Sequence, residues 1–220
     1  MSAAPIRTSR LLLVEGVSGL GKSTLLDALV RRHVADAEPR RLRTVVHLTQ
    51  AHTYGPLAAG EDAGTLTREA CIEHLEGIVG TLEWLAASVA GEATAKCFVV
   101  VDCLHLTACL RPGVVSWGDV APLDRRLAAL GCRLLLLDGD DDTVRERAVR
   151  ARWETDFIQG YARRRFGPGE AELVAHFQRE RDVFRELFAA SQMPRLQLPA
   201  EASELETAEA AFRFWRDAET

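Results

Sequence analysis

The chain has 220 residues, 47% of them hydrophobic and 27% charged, enough for one well-buried domain and short for two. A formal net charge of −5 argues against a general nucleic-acid or membrane-surface binder, because neither phosphate backbones nor anionic lipids attract an acidic surface. No apolar run approaches the roughly 20 residues of a membrane span, and Met1 to Arg10 lacks the apolar centre of a signal peptide, so the expectation is a soluble cytoplasmic protein with no membrane or nucleic-acid partner.

The first expected strand is the apolar run Leu11 to Val14. Directly after it, Gly16-Val17-Ser18-Gly19-Leu20-Gly21-Lys22-Ser23-Thr24 fits the pattern G-x-x-x-x-G-K-[ST], and Leu25, Leu26, Leu29 and Val30 then share one helix face. Strand, glycine loop and helix in this order make a phosphate-binding P-loop. Glycines let successive backbone N–H groups turn inward, and the helix N-terminus adds about half a positive charge behind them. Gly16, Ser18, Gly19, Leu20, Gly21, Lys22, Ser23 and Thr24 are therefore candidate phosphate contacts. Lys22 is suited to the β- and γ-phosphates and the Ser23 hydroxyl to Mg²⁺. Of 27 basic residues only Lys22 and Lys96 are lysine, so a compact ammonium stands in the loop of an arginine-rich chain.

Thr44 to Leu48 is the second expected strand, and His47, Gln50, His52 and Tyr54 follow at or beyond its presumed ligand end as candidate substrate contacts. Tyr54 to Gly64 reads as a surface loop. Ile72, Leu75, Ile78, Val79, Leu82 and Leu85 form a helical stripe on which Trp84 is expected to be core. The third strand, Cys97 to Asp102, ends in a carboxylate where open α/β sheets place their ligands, so Asp102 is a candidate for anchoring Mg²⁺ or for accepting the proton of an attacking hydroxyl. Asp138 closes the fourth strand, Arg133 to Asp138, in the same way and competes for the role. Asp102 is preferred because, in sheets like those of nucleotide kinases, the strand after a long helical insertion normally neighbours the P-loop strand. Glu15, just before the P-loop, is either a charge supporting the site or a strand-end residue.

Between the fourth strand and the fifth, Arg195 to Leu198, lies an arginine-rich stretch. Arg147 and Arg150 are three apart on one helix face and Arg152 leads beyond, an arrangement that suits charge neutralisation in phosphoryl transfer and also a solvated helix. Arg163 to Arg165 form a second cluster, Gly167-Pro168-Gly169 breaks the chain, and two further helices are marked by Leu173, Phe177, Phe184 and Phe188 and by Leu205, Ala208, Phe212 and Trp215. Strands alternating with helices imply a three-layer α/β sandwich on a five-stranded parallel sheet. The odd set of cysteines (Cys71, Cys97, Cys103, Cys109, Cys132) has no disulfide or zinc spacing and is expected as free thiols.

With these features the chain resembles P-loop kinases of the thymidylate kinase and deoxynucleoside kinase group over most of its length. The likeness rests on Glu15-Gly16 leading into the P-loop, Ser23-Thr24 closing it, strands ending in Asp102 and Asp138, and Arg147, Arg150 and Arg152 with Glu154, which look like a lid signature. It implies a nucleotide-kinase-like fold, ATP with Mg²⁺, an acceptor-binding insertion at about 49–95, an arginine-rich lid at about 145–168, and often a homodimer. The chain departs from the pattern on the acceptor side. Ser18 stands where thymidylate kinases usually carry an acid, Cys103 where an arginine follows the strand-end acid, and His47 to Gln50 where deoxynucleoside kinases place a glutamate.

From Thr44 to Leu110 the only Lys or Arg residues are Arg68 and Lys96, against Glu61, Asp62, Glu69, Glu73, Glu76, Glu83, Glu92 and Asp102. That balance points to a neutral or cationic small-molecule acceptor, a nucleoside-like metabolite or an antibiotic. The alternatives are a nucleoside monophosphate kinase with Arg68 or Arg111 on the acceptor phosphate, a nucleotide-hydrolysing switch, and a binder without activity. N-K-x-D and L-S-G-G-Q are both missing from the sequence, which weighs against the GTPase and transporter forms of the switch.

Overall fold

A computed structural model describes residues 9–35, 43–88, 96–111 and 113–216. The first eight residues, Glu92 and the end of the expected insertion, 89–95, lie outside the described residues. Five strands, β1 (Ser9–Glu15), β2 (Arg43–Leu48), β3 (Lys96–Asp102), β4 (Arg133–Asp138) and β5 (Arg195–Pro199), form one all-parallel sheet in the order β2-β3-β1-β4-β5. Leu11 to Val14 are buried to 1% exposure or less, as a central strand covered on both faces requires. The expected neighbour relation holds: β3 pairs with β1, with Val14 opposite Asp102. On the other side β4 pairs with β1, and Glu15 lies opposite Leu136. Successive connections from β1 run first toward β2 and later toward β4, so β1 marks the switch point at whose C-terminal end such sheets bind ligands.

Helix α1 (Lys22–Ala35) connects β1 to β2. Between β2 and β3 come α2 (Gln50–Thr53), α3 (Gly55–Asp62) and α4 (Arg68–Ser88), and between β3 and β4 come α5 (His105–Ala108) and α6 (Trp117–Ala129). Right-handed crossovers put α1 on one face of the sheet and α4 and α6 on the other, where these two pack together. After β4 the chain runs through α7 (Asp141–Thr143), a π-helical stretch Val144–Val149, a 3-10 turn Arg150–Arg152, a second π-helical stretch Phe157–Ala162 and α8 (Arg163–Phe166). Two long helices close the chain, α9 (Glu170–Ala190) before β5 and α10 (Glu204–Arg216) after it. Helix α10 packs on α1, with Trp215 edge-on to Phe98 at 5.4 Å.

Two expectations need correction. Tyr54 to Gly64 is not a loop but largely α3, started by Pro56 in its first turn, where a fixed φ and a missing N–H cost nothing. Trp84 is 67% exposed rather than core, because Cys71, Leu75, Val79 and Leu82 make the buried stripe of α4. Helix α6 has no clear sequence signal, since Pro122 inside it reads as a breaker; it is started by a capping box in which Ser116 and Asp119 satisfy each other. All five cysteines are free, and among the described residues no helix is long and apolar enough to cross a membrane.

Candidate active site

The P-loop bends where its glycines allow it. Gly16, Gly19 and Gly21 have φ of 138°, 93° and 105°, a region L side chains rarely enter. A Cβ on Gly16 would also lie 2.3 Å from the carbonyl oxygen of Leu137 on β4. Lys22 is 7% exposed and folds back over the loop, its Nζ donating to the carbonyls of Gly16 at 2.7 Å and Val17 at 3.1 Å. A largely buried ammonium whose hydrogen bonds go only to neutral oxygens is ready for an anion. Ser23 and Thr24 are exposed in the first turn of α1.

Glu15 is fully buried and does structural work. Its Oε1 accepts the backbone N–H of Leu104 at 2.9 Å and of Leu106 at 3.2 Å, and its Oε2 accepts the Thr107 hydroxyl. Burial pushes its carboxyl above the usual range, against the opposing pull of His105 and these hydrogen bonds. Glu15 thereby fixes the turn from β3 into α5, where Cys103 takes a φ of 58°. Asp102, 5% exposed, accepts only the Cys103 thiol at 3.3 Å, while its backbone carbonyl receives Thr53 Oγ1 at 2.6 Å and so draws α2 over the sheet end. Asp138 is engaged instead: its Oδ2 receives Arg185 Nε at 2.8 Å and Gln197 Nε2 at 2.7 Å.

The three arginines after β4 point to three places. Arg152 reaches the P-loop, with Nη1 3.2 Å from Ser18 Oγ and its guanidinium 4.3 Å over the Phe157 ring, and burial lowers its affinity for its proton. Arg147 donates to the carbonyl of Ala200 at 2.5 Å and lines a groove of about 210 Å³ that runs over Leu20, Gly21 and Thr24 to Ala202 and Thr207. Arg150 turns outward to Glu146 at 2.6 Å and Glu170 at 2.7 Å.

A cavity of about 70 Å³ opens on Gly16, Ser18 and Lys22 and is walled by Gln50, Tyr54, Cys103, Phe157 and Tyr161. Tyr54 OH lies 3.3 Å from Tyr161 OH, and Arg111 stacks 4.3 Å over the Tyr54 ring. His47 sits on edge strand β2 and is not among the cavity's lining residues. Arg68 is paired with Asp119 at the start of α6 and also lies outside the cavity wall. Arg111, 4% exposed, lines a larger neighbouring cavity together with Arg165 and Arg179. Those three arginines come from beyond Leu110, so the charge balance of the insertion alone misses them. Phe157, Tyr161 and Arg179 carry no sequence signal of a site, because only the folded chain brings them to it.

No protein-family model matches the chain, and no curated protein matches it significantly. Among solved structures it is similar to the YorR protein of Bacillus subtilis, solved in complex with phosphorylated GDP, at 13% identity and a TM-score of 0.59, over 93% of this chain and 94% of that one. It is also similar to a gluconokinase from Sinorhizobium meliloti at 16% identity and a TM-score of 0.54, over 94% of this chain and 91% of that one. The all-parallel sheet, the loop after β1 and these likenesses together give the chain an α/β P-loop fold.

Proposed function

We propose that the chain is a P-loop phosphotransferase that moves the γ-phosphoryl group of ATP to a hydroxyl of a small molecule. The observation that carries this reading is the meeting of three parts at Ser18 and Lys22: the glycine loop, Arg152 from the far side, and an aromatic-walled cavity large enough for part of a small acceptor. Two P-loop neighbours solved with nucleotide or described as a kinase are in keeping with it.

In this reading the backbone of Gly16 to Thr24 cradles the phosphates, and the groove beside Arg147 takes the nucleoside end. Lys22 leaves its carbonyl partners for the β- and γ-phosphates. Ser23 would hold Mg²⁺, which supplies neutralisation of phosphate charge, and Asp102 serves as the base rather than as the metal's anchor. The acceptor hydroxyl lies in the cavity among Gln50, Tyr54 and Tyr161, and its oxygen attacks the γ-phosphorus as the bond to the β-bridging oxygen breaks. Asp102 takes the hydroxyl proton, ADP leaves, and Arg152 stabilises the charge on the transferring group. The segment at about 145–168 acts as a lid that excludes water, and the segment at about 49–95 supplies the acceptor contacts.

The test is ATP consumption by the wild type and by Lys22→Ala, first without acceptor and then with nucleosides, nucleotides, sugar acids and hydroxylated antibiotics. Acceptor-dependent turnover that disappears in Lys22→Ala is expected. Steady hydrolysis that ignores every acceptor and still needs Lys22 sinks the reading in favour of a nucleotide-hydrolysing switch.

A further inference from the structure

Next to the cavity on the P-loop lies one of about 470 Å³, and the two share Tyr54, Leu110, Tyr161, Phe166 and Glu180 on their walls. Three guanidinium groups line the larger one: Arg111 just after α5, Arg165 from α8 and Arg179 from α9. Glu61 is shared between two of them, 3.1 Å from Arg111 Nε and 2.8 Å from Arg165 Nη1. Glu180 faces His176 at 3.1 Å. Arg165 also lies 3.5 Å from Asp62, so the charges of Arg111 and Arg165 are met by Glu61 and Asp62, and what is left over is one buried donor and one guanidinium. Arg111 is 4% exposed, and its Nη2 is buried with no partner. Arg179 is exposed and makes no ion pair among the described residues. Buried guanidinium donors are rarely left without an acceptor, and a guanidinium fork matches the oxygens of a phosphate or carboxylate.

We propose that the larger cavity binds an oxyanion carried by the acceptor itself, with Arg111 as its buried ligand and Arg179 at the rim, so that the acceptor's hydroxyl lies toward Lys22 and Ser18. The acceptor is then an anionic hydroxyl compound rather than a neutral or cationic one, held along its body by Tyr54, Tyr161 and Phe166. This rests on the reading that the smaller cavity holds the acceptor.

The test is isothermal titration without ATP, using matched pairs that differ in the anion: nucleosides against their 5′-monophosphates, and sugar alcohols against the corresponding sugar acids. A charged member is expected to bind about tenfold or more tightly than its neutral partner, and whichever arm responds identifies phosphate or carboxylate. Arg111→Gln should weaken that binding about tenfold and Arg179→Gln about threefold, while Lys22→Ala leaves the ratio of charged to neutral binding within about threefold of wild type. Neutral members binding as tightly as charged ones, no charged member binding at all, or anion binding that follows Lys22 and ignores the arginines each overturns the proposal. The last outcome places the anion on the P-loop. Should Arg111→Gln fail to fold, Arg179→Gln, altered at an exposed position, carries the test alone. Because ATP is absent throughout, a failure of ATP-dependent transfer leaves this result standing.

Discussion

The P-loop side and the cavity side of this molecule are built in opposite ways. Nine consecutive residues, Gly16 to Thr24, contain the glycine conformations, the lysine and the helix start that the loop needs, and Lys22 even finds its resting partners within the same loop. The cavities are walled by residues scattered from Gln50 to Phe184, contributed by α2, α3, α5, α8, α9 and the π-helical stretch Phe157–Ala162. Chemistry that is local in the chain leaves a motif; chemistry assembled by packing leaves only residues whose partners are unknown until the fold is seen. The charge of such a site cannot be counted along the one segment that begins it, as Arg111, Arg165 and Arg179 demonstrate.

The largest effect expected falls on the local side. Lys22→Ala should lower turnover by about 10³-fold with little change in melting temperature, since its hydrogen bonds go to carbonyls that water can reach once the side chain is gone. A residual rate within about tenfold of wild type would break the assignment of Lys22 to the phosphates. Next comes a contrast across the lid. Arg152→Gln should cost about 10²-fold in kcat, while Arg150→Gln, whose parent side chain is held by Glu146 and Glu170 on the outside, should stay within about threefold. Equal losses would mean that the lid turns Arg150 inward when it closes.

The sheet was legible because its strands are buried on both faces and read as apolar runs, and the P-loop because its spacing is rigid. The β1 to β3 pairing followed from the likeness to nucleotide-kinase sheets, in which the strand after the long helical insertion normally lies beside the P-loop strand. What failed to read was assembled by distant contacts or hidden by ambiguous residues. Pro56 and the glycines of Tyr54 to Gly64 look like loop chemistry, yet a proline in the first turn starts α3. Pro122 hides α6. The close spacing of Arg147, Arg150 and Arg152 concealed that the turn changes from π to 3-10 within them, so that they diverge to Ala200, Glu170 and Ser18. Glu15 gave no sign of whether it served the site or the strand until its two backbone partners on the β3 to α5 turn were seen.

A third comparison lies within the loop itself. Gly16→Ala forces a side chain into a φ of 138° and against the carbonyl oxygen of Leu137, which belongs to a packed central strand and cannot give way. It should destabilise the protein by about 2–4 kcal/mol, read from chemical denaturation. Gly19→Ala meets the Arg152 guanidinium at 2.6 Å, the far end of a flexible side chain, and beyond it the Ala148 Cα at 3.0 Å, a milder clash than the one at Gly16. It should cost less stability and more activity, by displacing Arg152 from Ser18. Similar stability losses at both positions would show that the loop's strain is general and not set by what each glycine faces.

The smallest effect concerns the residue that joins the two regions. Glu15 ends β1, precedes the P-loop, and holds the amides of Leu104 and Leu106 that start the path to Arg111. Its carboxyl is raised in the folded chain, chiefly by burial. A carboxyl with a raised folded pKa contributes stability that is fully present below its unfolded pKa, about 4.3, and is lost as pH rises through the folded value. Wild-type melting temperature should therefore carry a downward slope from Glu15 on the neutral side of about pH 4.3. Glu15→Gln keeps an oxygen for the two amides and a donor for Thr107, so it should fold and lose that slope. Asp124 runs the other way: burial raises its pKa, but His105, the Gln192 N–H and Ser191 together hold it below the usual range, so its contribution is lost as pH falls. Thermal melts of wild type and Glu15→Gln across about pH 4 to 8 separate the two, because the substitution should flatten only the neutral limb and leave the acid limb in place. Unchanged slopes on both limbs would mean that Glu15 stays ionised throughout, and that the link between P-loop and cavity is an electrostatic contact rather than a buried hydrogen-bonded hinge.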